Sequence, residues 1–182
     1  MPPFNALRSA LRAHGYPSIQ HHRTRFLSPP VRILRATYVT KSQSVLLAKP
    51  SSEDLEEAGV EPTVAEQATL EITDRAAEHL RNIATEDSDP DVALRIAVES
   101  GGCHGYQYKI ELTSRRQPDD FQFTHPSLRP SNIVVDAVSL NLLKGSTIDF
   151  ATELIGSSFR IVDNPQAKGS GCGCGVSWEA KF

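Results

Sequence analysis

Cysteine is scarce in this chain of 182 residues, which contains only three. Three thiols are too few for the dense disulfide framework of a small secreted domain. They are also one short of the four protein ligands that closed zinc and iron–sulfur sites usually have. A closed cluster site built on these thiols therefore needs a ligand from elsewhere, and a second copy of the chain is the simplest source.

Long apolar runs are also missing, and none approaches the roughly 18 residues that indicate a membrane-spanning helix. The composition is that of a globular protein, with 39% hydrophobic and 23% charged residues. The glycine clusters lack the spacing of dinucleotide-binding and phosphate-binding loops. The sequence has no Ser/His/Asp grouping and no paired-carboxylate motif. We therefore expect neither a membrane protein nor an enzyme.

Acidic residues are absent from the first 50 positions, which hold eight lysines and arginines. Residues 51–182 hold the other 11 basic residues and all 22 acidic ones, a formal charge of −11. Phosphate binding requires clustered cations. This acidic body therefore argues against a nucleic-acid partner.

The basic N-terminus has the pattern of a mitochondrial targeting segment. Apolar residues recur at helical spacing on one side, with Arg8 and Arg12 on the other. An amphipathic, arginine- and serine-containing start without acids is typical of transit peptides, and the continuous apolar stretch of a secretory signal is missing. We predict a transit peptide over about 1–45 and a location in the mitochondrial matrix. A disordered basic arm is the alternative interpretation.

Residues 46–69 read as an acidic, disordered linker. They contain no aromatic residue and few large apolar side chains, so little burial is available to offset the ordering entropy. The folded domain is then expected over 70–182.

Two sequence periods predict the fold of residues 70–182. Helical spacing predicts a helix over 74–85 and a shorter one over 137–144. Strict alternation predicts two strands joined by a glycine-rich loop. The predicted strands are 92–98, 106–112, 121–124, 132–135, 147–150, 158–162 and 176–179. The fold class is therefore α+β and β-rich, a compact domain of short, mostly antiparallel or mixed strands with two short helices.

All three cysteines lie among glycines. Cys103 is in Gly-Gly-Cys-His-Gly, whereas Cys172 and Cys174 are in Gly-Cys-Gly-Cys-Gly near the C-terminus. Glycine lets the backbone adopt positive φ and approach a bulky group closely. A cysteine that only fills a core normally has apolar neighbours instead. These three thiols are therefore the candidate ligands of the chain.

Four kinds of chemistry compete for these thiols. A structural disulfide is disfavoured because the predicted compartment is usually reducing. Redox enzymes typically use Cys-x-x-Cys at a helix N-terminus, whereas here Cys-Gly-Cys precedes a strand pattern. Structural zinc usually takes four ligands from one chain; His104 could be the fourth, although residues adjacent in sequence seldom point at one ion. An iron–sulfur cluster fits best, since thiolates on glycine-rich loops suit a group that enters and leaves. Glu179 is a further candidate, as an oxygen ligand to iron.

At these residues the sequence resembles the A-type iron–sulfur carriers (IscA/HesB-like proteins). Their signature is a lone cysteine in a glycine-rich loop, followed near the C-terminus by Cys-Gly-Cys-Gly. Here 69 positions separate Cys103 from Cys172. The blocks 102–109, 149–150, 153–155, 157–159 and 164–167 are similar to the mitochondrial second subtype. Trp178 departs from the family, which usually has phenylalanine at this place.

The resemblance implies a HesB-like fold and a role in iron–sulfur cluster assembly. It implies that Cys103, Cys172 and Cys174 hold a [2Fe–2S] or [4Fe–4S] cluster, or iron. It further implies a homodimer, or a heterodimer with the first-subtype A-type carrier. Apo iron–sulfur proteins would receive the cluster during [4Fe–4S] protein maturation. A structural zinc module and a mononuclear iron donor remain as alternatives.

Overall fold

A computed structural model describes residues 40–61, 63–101, 105–154, 156–168 and 176–181. Most of the predicted transit peptide and all three cysteines lie outside these residues. Within them, no helix has the length and apolar character that crossing a membrane requires.

Ten strands and four helices make up the described part of the chain. This is the β-rich α+β class that the sequence predicts. The strands are β1 (Lys41–Gln43), β2 (Val45–Ala48), β3 (Glu71–Thr73), β4 (Ala93–Ser100), β5 (Tyr106–Thr113), β6 (Asp120–Thr124), β7 (Asn132–Asp136), β8 (Thr147–Glu153), β9 (Gly156–Asp163) and β10 (Ser177–Trp178). The helices are α1 (Ser52–Glu57), α2 (Thr63–Glu66), α3 (Asp74–Glu86) and α4 (Ala137–Leu143).

The strands form two mixed sheets. The four-stranded sheet has the order β1-β3-β8-β9, and the six-stranded sheet has the order β10-β5-β4-β7-β6-β2. Strands β3 and β8 run parallel, as do β4 and β7, and the other pairs are antiparallel. The N-terminal strand β1 is an edge strand of the four-stranded sheet, and β2 is an edge strand of the six-stranded sheet. The first 10 described residues therefore link the margins of both sheets.

Helix α3 confirms the helix predicted from the apolar stripe over 74–85. Its N-cap is Thr73, whose side-chain oxygen accepts a hydrogen bond from the Ala76 N–H at 3.2 Å. Ala76, Ala77 and Leu80 are buried, in one core with phenylalanine, isoleucine and leucine side chains of both sheets. The spacing of small and large apolar residues thus gives the helix a face that packs closely on the strands.

The hairpin of β4 and β5 carries the first cysteine between its strands. Its register runs from Ala93 opposite Thr113 to Ser100 opposite Tyr106, without a shift. Helix α4 is fixed to this hairpin, because the Ser139 hydroxyl accepts a hydrogen bond from the Val98 N–H at 2.8 Å. Both predicted strands are confirmed, and they hold the ends of the loop between them.

The structure differs from the predicted linker over 46–69. Part of β2 and the helices α1 and α2 occupy this segment. Helix α1 begins with a capping box, in which Ser51 and Asp54 satisfy each other's backbone N–H groups. Leu55 and Val60 are buried in the main core. A short, charged helix is stable here because one leucine and one cap anchor it, while its remaining side chains stay in water.

Candidate functional site

The three predicted ligands, Cys103, Cys172 and Cys174, lie outside the described residues, as does His104. The described residues on either side of them show where each cysteine-containing segment begins and ends. We call residues 101–105 the first cysteine segment and residues 168–176 the second cysteine segment.

The first cysteine segment is closed at its base by the backbone. The Gly101 N–H donates to the carbonyl of Gly105 at 2.9 Å. Gly101 has φ +153° and Gly105 has φ +99°, values in the region that L side chains rarely adopt. A Cβ at Gly105 would meet nothing within 4 Å, so backbone conformation and not crowding explains glycine there. The two described ends of the first cysteine segment are thus joined by a main-chain hydrogen bond.

The second cysteine segment begins and ends beside the last strand. At its start, the Lys168 N–H donates to the Glu179 carbonyl at 2.7 Å. At its end, the Val176 carbonyl accepts a hydrogen bond from the Tyr108 N–H at 3.1 Å. Strand β10 follows at once and pairs with β5, with Trp178 opposite Tyr106. Main-chain hydrogen bonds therefore fix both described ends of the second cysteine segment beside β10 and β5.

Strand β5 brings the two cysteine segments to one margin of the six-stranded sheet. Gly105 immediately precedes β5, and Val176 is bonded to Tyr108, the third residue of that strand. Cys103 lies two positions before Gly105, and Cys174 lies two positions before Val176. The described ends of the two cysteine segments therefore lie near each other beside β5, although the segments are far apart in sequence.

An aromatic stack lies beneath these anchor points. The ring of Trp178 stacks on Tyr106 and Tyr108, with centroid distances of 5.3 and 5.4 Å. The Tyr108 hydroxyl accepts a hydrogen bond from the Asn164 side chain at 2.9 Å. Burial raises the pKa of Tyr108, and the bond from Asn164 opposes that shift. Both tyrosines therefore have a packing role, as their alternation with polar residues predicts.

Glu179, the candidate oxygen ligand, has a partner of its own. Its carboxylate lies 3.1 Å from the Lys168 ammonium group, and both side chains are more than half exposed. An exposed pair of this kind is weak, so the carboxylate can exchange its partner. Among the described residues, no group of three or more histidine, cysteine, aspartate and glutamate side chains could hold a metal ion.

Two histidines outside the cysteine segments are engaged in packing. The ring of His79 stacks on Phe150 with centroids 3.6 Å apart, although the sequence places it on a solvated helix face. His125 is buried, and its Nδ1 accepts hydrogen bonds from two backbone N–H groups of the following turn. Its Nε2 therefore carries the proton and donates to Asp74 at 3.2 Å. Both ring nitrogens of His125 are occupied.

Sequence reasoning missed one feature of this region. The indole nitrogen of Trp178 is buried and has no hydrogen-bond partner among the described residues. The sequence shows a tryptophan between a Cys-Gly-Cys motif and the C-terminus, but only the packing shows that its N–H lacks an acceptor.

Comparisons with known proteins agree with this arrangement. The mouse protein named iron-sulfur cluster assembly 2 homolog, mitochondrial, is 37% identical over 158 residues, covering 87% of this chain and 97% of that protein. The human protein of the same name is 41% identical over 126 residues, covering 69% and 77%. The iron-sulfur cluster insertion protein ErpA of Stenotrophomonas maltophilia is 37% identical over 109 residues, covering 60% and 80%.

A solved structure shares the fold. The crystal structure of IscA with the [2Fe-2S] cluster is similar with a TM-score of 0.51 and 29% identity, covering 62% of this chain and 99% of that one. The model of the family described as iron-sulphur cluster biosynthesis matches residues 68–176, a span that includes both cysteine segments. The chain therefore belongs to the iron–sulphur cluster biosynthesis family.

Proposed function

We propose that this chain binds an iron–sulfur cluster through Cys103, Cys172 and Cys174 and delivers it to apoproteins. The observation that carries the proposal is that both cysteine segments have an end at the start of β5: Gly105 immediately precedes the strand, and Val176 is bonded to Tyr108. Sequence neighbours of those anchors supply the only thiols of the chain. Glycine precedes all three cysteines and also follows Cys172 and Cys174, which leaves room for a group as large as a cluster.

The number of thiolates favours a shared site. An iron–sulfur cluster commonly takes four cysteine ligands, whereas one chain has three. Two chains bring six thiolates, enough for one cluster with two left over. The second chain is a further copy or the first-subtype A-type carrier, and the cluster is [2Fe–2S] or [4Fe–4S].

Delivery requires no catalytic residue, because ligand exchange can move the cluster. An acceptor thiolate forms a bond to iron as one carrier thiolate leaves, and the other ligands are exchanged in turn. Each step makes one iron–sulfur bond and breaks one, so the transfer of an intact cluster moves no electrons and conserves charge. Building one [4Fe–4S] cluster from two [2Fe–2S] cargoes additionally requires two electrons, which a separate reductant supplies. The chain is accordingly a carrier and not an enzyme, and its cluster is cargo.

The cysteines can be tested one at a time. Anaerobically purified protein should be brown, with comparable iron and acid-labile sulfide. Cys103→Ser, Cys172→Ser and Cys174→Ser should each lose most of the iron and the visible spectrum, while the circular dichroism stays that of the folded domain. His104→Ala and Glu179→Gln are matched controls next to the site, and both should keep the cluster.

Three results would contradict the proposal. A Cys174→Ser variant with full iron and sulfide would remove that residue from the ligand set. Colourless protein with stoichiometric zinc would indicate a structural zinc module, and iron without sulfide would indicate a mononuclear iron donor.

We also propose that the chain works in the mitochondrial matrix, in the maturation of [4Fe–4S] proteins. The support is the acid-free, amphipathic N-terminus together with relatives whose names include mitochondrial. Residues 1–45 should direct a fluorescent reporter into mitochondria. Arg8→Glu with Arg12→Glu should prevent import, whereas the charge-preserving pair Arg8→Lys with Arg12→Lys should not. Undiminished import of the charge-reversed reporter would contradict the targeting role.

A further inference from the structure

Residues 40–48 are built into the described fold, although the first of them lie in the predicted transit peptide. Strand β1 pairs along the edge of β3, with Lys41 opposite Thr73 and Gln43 opposite Glu71. The next strand, β2, pairs with β6 in the other sheet. We call residues 40–48 the N-terminal strap, because this short stretch supplies one strand to each sheet.

Main-chain hydrogen bonds hold the first half of the N-terminal strap. The Asp74 N–H donates to the Thr40 carbonyl at 3.0 Å. Asp74 is the first residue of α3, and the N–H groups of a first helical turn have no partner within their helix. Ser44 donates twice to the Leu70 carbonyl, from its N–H at 2.9 Å and from its hydroxyl at 2.8 Å. Removing the strap would therefore take partners from the start of α3 and from Leu70, a residue that is 1% exposed.

Side chains of the N-terminal strap add to this anchoring. The Lys41 ammonium group lies 2.6 Å from the Glu71 carboxylate, which also accepts a hydrogen bond from the Thr147 hydroxyl at 2.9 Å. The bonds from Lys41 and Thr147 lower the pKa of Glu71. On β2, Leu46 packs against the main core. The strap is thus held by main-chain bonds, a charge pair and an apolar contact.

The positive charge of the N-terminus divides just before the N-terminal strap. All six arginines among the first 50 residues lie at positions 8–35, whereas the two lysines are Lys41 and Lys49. Arginine is the cation typical of mitochondrial targeting segments. Lys41 instead pairs with Glu71 within the fold. The arginine-rich pattern therefore ends before the first residue of the strap.

We infer that the peptide bond cleaved after mitochondrial import lies on the N-terminal side of Thr40, so that the mature chain keeps the N-terminal strap as part of its fold. This inference rests on the proposed targeting role, and it ends the removed segment before residue 45. The cut is a hydrolysis by a processing peptidase of the matrix. It consumes one water and breaks one amide bond, leaving a carboxylate on the released segment and an ammonium group on the mature chain. A cut inside the strap would shorten or remove β1 and uncover the edge of β3, and uncovered edges promote association with other chains.

Two deletions of equal length in the full chain test whether the fold needs the N-terminal strap. Deleting residues 40–44 removes β1 and the bonds to Asp74 and Leu70. It should raise the equilibrium constant of unfolding in urea more than about tenfold, the effect of about two net hydrogen bonds. Deleting residues 31–35, which precede the strap and include two arginines, is the matched control and should leave the unfolding midpoint unchanged. Equal midpoints for the two deletions would overturn the inference, because the mature fold would then have no need of the strap.

Import of the full chain into energised mitochondria tests the position of the cut. After protein outside the organelles has been digested, mass spectrometry of the recovered chain identifies its first residue. We expect a first residue at or before Thr40. A mature chain that begins at Lys41 or later would overturn the inference and leave the targeting role intact, as would an imported chain that stays uncut. If the chain is not imported, the targeting role fails and the inference fails with it.

Discussion

Arg95 ties β4 to β6 across the intervening strand β7, on the face of the six-stranded sheet opposite the main core. Its guanidinium makes two parallel hydrogen bonds to the Asp120 carboxylate, both at 2.8 Å. The Gln117 N–H also bonds to that carboxylate, at 2.6 Å. The Asp120 side chain is fully buried, and that of Arg95 is 12% exposed. This pair holds the strand that leads directly into the first cysteine segment.

Removing one partner of this pair should be costly, because it leaves a buried charge without compensation. We expect Arg95→Met to lower the free energy of unfolding by about 3–5 kcal/mol. The double variant Arg95→Met with Asp120→Leu should recover much of that loss, since it buries no charge. Urea unfolding of Arg95→Met, of Asp120→Leu and of the double variant measures the effect.

Lys109→Met is the matched control on the same face. Lys109 pairs with Glu99 at 3.5 Å, and both side chains are about half exposed. Exposed pairs contribute little, so this variant should change the free energy of unfolding by less than about 1 kcal/mol. Equal effects of Arg95→Met and Lys109→Met would mean that the Arg95–Asp120 pair is not desolvated.

Helix α1 and the strands β1 and β2 add a part that precedes the matched family region, which begins at residue 68. Strand β1 covers the edge of β3, and β2 covers the edge of β6. Uncovered edges present unpaired backbone groups that promote association with other chains. The N-terminal elements therefore complete both sheets, and the main core includes side chains from α1 and the turn after it.

Leu55 allows a direct test of this part of the fold. It is 3% exposed, so Leu55→Ala should lower the free energy of unfolding by about 2–5 kcal/mol, through lost burial and the cavity left behind. Leu47→Ala, at a position 49% exposed on β2, should change it by no more than about 0.5 kcal/mol. Urea unfolding measures both. A disordered linker over 46–69 would instead give no effect for either variant.

The elements that the sequence predicts well are those with a long, regular period. Helix α3 and the strands β4 and β5 each repeat their apolar pattern over eight or more residues. Strand β1 and helix α1 are too short for a period to be visible, and α1 has one buried leucine. The local signal that could have revealed α1 is its capping box, Ser51 followed three positions later by Asp54.

The candidate site also has a part that the sequence predicts and a part that it does not. Composition and glycine spacing identify the cysteines as candidate ligands without any structure, because the chemistry of a ligand depends on the residue type. The pairing of β10 with β5 is a non-local contact, so its register and the proximity of the two cysteine segments depend on the whole fold. That the buried Trp178 N–H has no acceptor among the described residues likewise follows from tertiary packing, which no local pattern encodes.

At the scale of the whole molecule, the number of thiols per chain links the assembly of a dimer to the release of the cluster. A cluster shared by two chains has six thiolates available for about four iron ligand positions. The extra thiolates can hold the cluster while an acceptor thiolate replaces one ligand. A closed site with four ligands from one chain would instead retain the cluster, as structural metal sites do.

Cluster loading should therefore be coupled to dimerisation, and the loaded protein should transfer its cluster. By size-exclusion chromatography with light scattering, we expect the loaded chain to be at least dimeric and the Cys103→Ser variant to show no iron-dependent increase in mass. Mixed anaerobically with an apo [4Fe–4S] enzyme, a chemical reductant and a chelator, the loaded protein should activate the enzyme faster than equal amounts of free iron and sulfide do, because ligand exchange never releases iron to the chelator. The Cys103→Ser variant, taken through the same loading treatment, is the control, and it should activate the enzyme no faster than the free ions do. A monomer that holds a complete cluster and does not release it would contradict both the shared site and the carrier role.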